Sequence, residues 1–330
     1  MKAAVYTNYG PPGVVTLAEV ETPTPGDHDV LVRIRATTVS SADWRARSLS
    51  LPPGFGFLGR LMFGLFGPRK KILGTELAGT VEAVGKGVTR FRPGDDVFAF
   101  TGAGFGCHAE YRVLPEDGRI VRKPANLSFE EAAALSFGGT TALCYLRDKG
   151  GVRAGEKVLV VGASGAVGTA AVQIARHFGA KVAGVCSTGN VELVRSLGAE
   201  MVIDYTREDF AGTGETWDII LDTTGTAPFA RSGKALEPGG RLLVVLGSAT
   251  QLLGLERPPR GSDKRIVAGV APERLEDLEY LARLAEAGEY RPVIDRSFPL
   301  EHAAEAHAYV DTGRKRGNVV LTVAAPAPAA

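Results

Sequence analysis

The spacing Ala163-x-Gly165-x-x-Gly168, with Gly162 just before it and Ser164, Ala166 and Val167 filling the gaps, is a pattern that can do chemistry. An unbroken apolar strand, Val158 to Val161, runs into this turn. An amphipathic helix leaves it, with Val167, Ala171, Ile174, Ala175 and Phe178 on one face. Such a turn brings bare backbone N–H groups and the positive end of a helix up to a pyrophosphate. A glycine triplet alone is weak, but here it follows a strand and opens a helix, and a second strand begins at Lys181, the context a dinucleotide fingerprint requires. The chemistry implied is hydride transfer.

The end of the second strand discriminates between dinucleotides. An NAD site places Asp or Glu there, about 20 residues on, to hold the ribose 2′-hydroxyl. This chain has Val185-Cys-Ser-Thr-Gly-Asn190, without a carboxylate. The hydroxyls of Ser187 and Thr188, with Asn190, accommodate a 2′-phosphate without repelling it. Tyr205, at the end of the next strand, offers a phenolic donor or a stacking face. Arg195 and Arg207 are nearby cations that read equally as solvated surface charges. NADPH is favoured over NADH.

The elements that position these residues alternate from 157 onward: strands Val158–Val161, Lys181–Cys186, Met201–Tyr205, Trp217–Asp222, Arg241–Leu246 and Ile266–Val270, most followed by helical stretches. This pattern predicts a doubly wound parallel sheet. Residues 1–124 read instead as β-rich, with short runs (Lys2–Thr7, Val14–Val20, Asp29–Thr38, Leu77–Val84, Asp95–Phe100, Ala109–Leu114) separated by Gly/Pro turns. Ser128-Phe-Glu-Glu131 is a capping box opening a helix, and a second helix is expected over Thr140 to Arg147. After a long helix, Pro272 to Glu289, a mixed pattern resumes. The expected organisation is a first lobe at 1–124, a nucleotide domain inserted at 125–271, and a return to the first lobe over 272–330.

The bulk properties allow a substantial core and two lobes. The chain has 330 residues, 45% hydrophobic, with 38 basic residues against 37 acidic ones. Near-neutrality gives no whole-chain footprint for nucleic acid or an anionic membrane and leaves local patches open. No apolar run reaches the ~20 residues of a membrane span. The start reads as a strand, three scattered cysteines make no disulfide framework, and the cytoplasm is the default address. The low-complexity tail Ala324–Ala330 is expected to fray.

Taken together, Gly74-Thr-Glu-Leu-Ala-Gly79, Val84-Gly-Lys-Gly-Val88, Phe91-Arg-Pro-Gly-Asp95, Ala109-Glu-Tyr111, Pro124-Ala-Asn-Leu-Ser128, Gly139-Thr-Thr-Ala142, the turn Gly162–Gly168 and Val202-Ile-Asp-Tyr205 resemble a medium-chain dehydrogenase/reductase of the zinc-independent quinone oxidoreductase (zeta-crystallin-like) branch. The resemblance covers almost the whole chain. It implies an α/β fold in which a Rossmann-type doubly wound sheet is inserted into a β-rich GroES-like catalytic domain, with a cleft site and usually a homodimer. Carried over by motif, it places Thr141 beside the nicotinamide, Ser164 to Gly168 on the pyrophosphate, and Ser187 with Tyr205 at the 2′-phosphate. Gly225, Leu246 and Gly247 would line the nicotinamide, with Gly269 and Asn318 closing the site.

Zinc-dependent relatives carry a Cys, a His-Glu pair and a third ligand where this chain has Ser40-Ser-Ala-Asp43, Gly74-Thr-Glu76 and Ser136-Phe-Gly138. Without thiolate or imidazole at the first two, no tetrahedral site is expected from them. Cys107-His108 would point to opposite faces of a strand, and His302 and His307 are five apart, so neither pair chelates well. A metal-free site must work by orientation, hydrogen bonds and water exclusion, which suits an acceptor that delocalises charge: a small apolar quinone or α,β-unsaturated carbonyl. Ser40 and Asp43 occupy the loop where the family often has Asn-Pro-x-Asp, and become catalytic candidates beside Thr141. Asp43 reads equally as a capping residue. An alcohol/aldehyde oxidoreductase and a non-catalytic NADPH-binding or redox-sensing protein are the alternatives.

Leu51 to Pro68, rich in glycine and phenylalanine and followed by Arg69-Lys-Lys71, has three readings. It is a mobile lid over an apolar substrate, a loop packed on its own domain, or a membrane-surface anchor.

Overall fold

The computed structural model of the chain describes residues 1–51 and 56–324. The N-terminal part contributes β1 (Lys2–Val5), β2 (Thr16–Glu19), β3 (Asp29–Thr38), α1 (Ser41–Ser48), α2 (Gly56–Phe63), β4 (Glu76–Val84), β5 (Asp96–Phe100), β6 (Tyr111–Pro115), β7 (Ile120–Arg122) and α3 (Phe129–Ala133). The middle contributes α4 (Ser136–Leu143), β8 (Lys157–Val161), α5 (Ala166–His177), β9 (Lys181–Cys186), α6 (Val191–Ser196), β10 (Met201–Asp204), β11 (Trp217–Asp222), α7 (Phe229–Ser232), β12 (Leu236–Val244), α8 (Ala249–Leu252) and β13 (Arg265–Ala268). The last part holds α9 (Leu275–Glu286), β14 (Ile294–Pro299), α10 (Ala303–Asp311) and β15 (Asn318–Thr322).

The chain divides into two compact units, one running to Phe137 and resuming at Glu273, the other spanning Gly138–Pro272. The expected boundary at 125 is therefore corrected to 137/138. Helix α3 opens with the expected Ser128–Glu131 capping box and buries Ala132 and Ala133. It packs on β3, β4 and β15, which makes it part of the first unit.

In the first unit, among the described residues, a seven-stranded sheet runs β14-β15-β3-β4-β5-β7, with β6 paired to β3. Its pairings are antiparallel except β14 with β15. The late strand β15 pairs with β3, so the C-terminal segment completes a sheet begun some 280 residues earlier. Val30, Val32 and Ile34 of β3 meet Leu77, Val81, Val97, Val319 and Leu321 in one apolar core, closed by Ala303, Ala306 and Val310 of α10.

In the second unit, six strands run β10-β9-β8-β11-β12-β13, every pairing parallel. This is the doubly wound order, reversing direction between β8 and β11. Strand β8 buries four of five residues and α5 buries Ala171, Ile174 and Ala175 as its sequence predicts, with Val167 and Phe178 half-buried. Two helices differ from expectation. The one expected over Thr140–Arg147 starts at Ser136 and continues from Cys144 to Lys149 as a π-helical stretch. The helical stretch after β11, read from sequence as running through Leu236, is limited to Phe229–Ser232 and a short turn, because β12 already begins at Leu236.

Candidate nucleotide and active site

The apolar strand β8 ends at Val161 and the backbone turns sharply. Gly162 takes φ +79, a left-handed value that costs glycine nothing. It therefore serves the tight-turn role that the fingerprint usually gives its first glycine, and Ala163 follows fully buried. Gly168 allows close packing: a Cβ there would lie 2.1 Å from the Gly162 carbonyl oxygen. The N-cap of the twelve-residue α5 is Gly165, which supplies no side-chain cap. The first N–H groups of α5 are thus left without a capping side chain, at the positive end of the helix dipole.

The other residues proposed from sequence for this site fall at matching places. Ser187, Thr188 and Asn190 follow β9, Tyr205 follows β10, Gly225 follows β11, Leu246 and Gly247 follow β12, and Gly269 follows β13. All lie beyond the carboxyl ends of parallel strands, where open α/β sheets bind ligands, and the β8 and β11 turns flank the reversal point. Asn190 ties two of these loops together, its Nδ2 donating to Ser164 Oγ and to Ser187 Oγ, both at 3.1 Å. Its buried Oδ1 has no protein hydrogen-bond partner. An uncapped helix terminus beside two hydroxyls fits the phosphates of a dinucleotide, and the orphaned acceptor Asn190 Oδ1 fits a hydroxyl donor such as those of its riboses.

Residues that sequence reasoning missed hold these loops in place. Buried Asp222 accepts from the backbone N–H groups of Thr224, Gly225 and Ala227, fixing the turn after β11. Thr223 Oγ1 donates to the Val161 carbonyl, linking the ends of β11 and β8. Tyr145, on the π-helical stretch, donates to the carbonyls of Val244 and Gly269 and so fastens the ends of β12 and β13. The available signal was a polar atom in an otherwise apolar element, but its partners are distant in sequence. Asp204, at the end of β10, is also carboxylate chemistry near the second strand. Its oxygens accept from Thr188 and Thr206, and Arg207 lies beside it, which holds its pKa below the usual range. Arg195 pairs with Glu192, so both nearby arginines have acidic partners.

Thr141 lies half-buried on α4. Asn318, Ser40 and Asp43 belong to the first unit. Asn318 begins β15 and donates through Nδ2 to the Val293 carbonyl at 3.1 Å. Ser40 and Asp43 form a reciprocal capping box on α1. Asp43 Oδ2 accepts from the Ser40 amide and hydroxyl, and Oδ1 accepts from the Gly74 amide at 2.7 Å. The carboxylate is fully buried and both of its oxygens are engaged, by two backbone amides and the Ser40 hydroxyl. Of its two sequence readings, the geometry is that of the capping residue.

Beside this box lies a group that sequence reasoning had considered only as a metal position. Glu76 is fully buried; Oε1 accepts from the Thr38 hydroxyl and Oε2 from the Phe137 amide at 2.6 Å, in the first turn of α4. Burial pushes its carboxyl up to about 7, helped by nearby Asp43 and opposed by those two hydrogen bonds and by Lys315. His108 and His307 also lie in this core, rings 5.6 Å apart, with His108 Nε2 on the Thr38 carbonyl. Burial holds His307 well below the usual imidazole range. Arg47, wholly buried, donates to both oxygens of Asp311 and to the Gly10 carbonyl, tying α1 to α10.

Two family models match the chain: an alcohol dehydrogenase GroES-like domain over residues 26–125 and a zinc-binding dehydrogenase domain over residues 197–321. The donors do not fit the tetrahedral zinc the second description suggests. Ser40 and Thr75 carry no metal-binding atom of the usual kind, and both Glu76 oxygens are engaged. The Cys107 thiol contacts Thr101 and is pushed up to about 12 by burial. No group of three or more His, Cys, Asp or Glu side chains among the described residues is placed to hold a metal.

The chain is 35% identical to 2-methylene-furan-3-one reductase of Solanum lycopersicum, over 97% of its own length and 79% of the relative's. It is 32% identical to the quinone oxidoreductase of Homo sapiens, over 95% and 94%. Among solved structures, an NAD-dependent alcohol dehydrogenase superposes with a TM-score of 0.83 at 31% identity, covering 98% of this chain and all of that one. Fold, turn and relatives together define an oxidoreductase that uses a nicotinamide cofactor. The chain belongs to the medium-chain dehydrogenase/reductase superfamily, in its zinc-independent quinone oxidoreductase branch.

Proposed function

We propose that the chain binds NADPH and reduces a quinone or an α,β-unsaturated carbonyl compound. The observation that carries the cofactor choice is the Ser164–Asn190–Ser187 cluster, with no unengaged carboxylate at the ends of β9 and β10. It presents the Ser164 and Ser187 hydroxyls, which Asn190 orients, and the exposed Tyr205 to a 2′-phosphate. NADPH supplies the hydride when bound. The α5 N-terminus holds the pyrophosphate, the Ser187 cluster the 2′-phosphate, and Thr141 orients the nicotinamide end. The Gly225, Leu246, Gly247 and Gly269 loops line that end.

The acceptor follows from the charges it would meet. The side chains at the family's metal positions offer no Lewis acid, so the charge left by hydride delivery must be spread by conjugation, as in an enone or quinone. That agrees with the acceptors named for the furanone reductase and quinone oxidoreductase relatives. Ser40 and Asp43 serve by holding the α1 loop and Gly74, and a solvent proton completes the product. The working form is a homodimer in the cytoplasm.

Stopped-flow oxidation of bound NADPH by a panel of enones, quinones and simple aldehydes tests the reaction. Enones or quinones are expected to react well above background and simple aldehydes not. Tight binding without oxidation by any acceptor would leave only a nucleotide-binding protein. Ser187→Asp, which places a carboxylate where the 2′-phosphate would sit, is expected to lower the NADPH-over-NADH preference by about 100-fold. An unchanged preference in parallel titrations would refute this placement of the 2′-phosphate.

A further inference from the structure

Helix α2 and the turn after it present apolar side chains outward. Phe63 faces inward, packed against the first unit's core and Phe105, and Gly59 is buried on the same side. The opposite side exposes Leu61 and Met62, followed by Leu65 and Phe66, the last with 103% relative exposure. This presentation is held in place. Tyr9 Oη donates to the Gly64 carbonyl, the Gly64 amide to Arg60, and the Arg69 amide to Phe63. Four large apolar groups in six residues form a contiguous exposed patch, which is costly in water unless something covers it.

The charges flanking the patch along the chain are of one sign. Arg60, Arg69, Lys70 and Lys71 are exposed, and none forms an ion pair within the described residues. No Asp or Glu occurs between Asp43 and Glu76. The second unit offers an internal contrast. Its exposed Leu253 and Leu255 are followed by Glu256 and Asp263 as well as Arg257 and Arg260, so no single sign surrounds them.

We infer that residues 59–71 form an interfacial element that docks on an anionic phospholipid surface. Leu61, Met62, Leu65 and Phe66 enter the acyl boundary, while Arg60, Arg69, Lys70 and Lys71 meet the headgroup phosphates. Residues 52–55 of the glycine- and phenylalanine-rich stretch lie outside the described residues, and the inference does not use them. It is independent of the acceptor the enzyme reduces.

Vesicle co-sedimentation of the full chain tests it, comparing phosphatidylcholine alone with phosphatidylcholine containing phosphatidylglycerol. Binding is expected only to the anionic vesicles and should weaken as salt rises. Met62→Ser with Phe66→Ser, and separately Lys70→Glu with Lys71→Glu, should each reduce partitioning by at least about tenfold. Far-UV circular dichroism checks that these surface variants remain folded. Absence of binding to anionic vesicles, or binding that either variant leaves unchanged, overturns the proposal. So does a concentration-dependent self-association of the native chain that Phe66→Ser abolishes without any vesicle binding, which would assign the face to a second copy.

Discussion

The turn after β8 and the network around Glu76 are both polar regions set in apolar surroundings, yet they are built on opposite plans. In the turn the working groups are backbone amides, and the side chains are small so that they stay out of the way. Its hydrogen-bonding capacity is left open, at the uncapped α5 terminus and the orphaned Asn190 Oδ1. Around Glu76 and Asp43 the side chains themselves are the polar groups, and each of their carboxylate oxygens has a donor. Open capacity indicates a place where a ligand completes the structure, whereas saturated capacity indicates a place where the chain has already completed itself.

Breaking the turn should have the largest effect on nucleotide binding. Gly168→Ala puts a methyl group 2.1 Å from the Gly162 carbonyl oxygen, so the start of α5 must move away from β8. Nucleotide affinity, read by titration of NADPH fluorescence, is expected to fall by at least about 100-fold, roughly 2.7 kcal/mol. Affinity within about threefold of the native value would show that close helix–strand contact is not what places the amides.

The first unit should respond in stability and not in nucleotide affinity. Asp311→Ala leaves the buried Arg47 guanidinium without its carboxylate and should cost about 3 kcal/mol in urea unfolding. NADPH affinity of the folded protein should stay native. A loss of nucleotide binding equal to that of Gly168→Ala would erase the distinction between the two regions.

The smallest effect, taken per pH unit, is the pH dependence. Glu76 has its carboxyl raised from 4.5 to about 7, so the folded state holds this proton more tightly than the unfolded chain does. Its contribution to stability is therefore full below about 4.5 and is lost as pH rises through about 7. The loss is at most about 1.4 kcal/mol per pH unit inside that window. Glu76→Gln should flatten this part of the stability profile, measured as urea midpoints across the range. A profile that keeps its native slope would move the titration elsewhere.

Parts of the molecule were legible from residues alone because their causes are local. The alternating apolar runs from Val158 onward fix a parallel sheet through burial on both faces, and the capping box at Ser128 rests on residues three apart. The spacing of Gly162, Gly165 and Gly168 is likewise a backbone requirement that few other residues meet, and it located the turn directly. The roles of Asp222, Tyr145 and Glu76 were not legible. Tyr145 bonds the ends of strands 99 and 124 residues away, and Glu76 reaches an amide 61 residues on. The domain boundary erred for the same reason, since α3 is assigned by what it packs on and not by its own composition.

Sequence by itself determined where the chain makes its glycine turn between β8 and α5, because steric freedom and periodicity are properties of neighbouring residues. Tertiary structure alone decided which polar side chains are spent on the fold and which remain available. Hydrogen-bond satisfaction and burial depend on partners that only folding brings within about 3 Å.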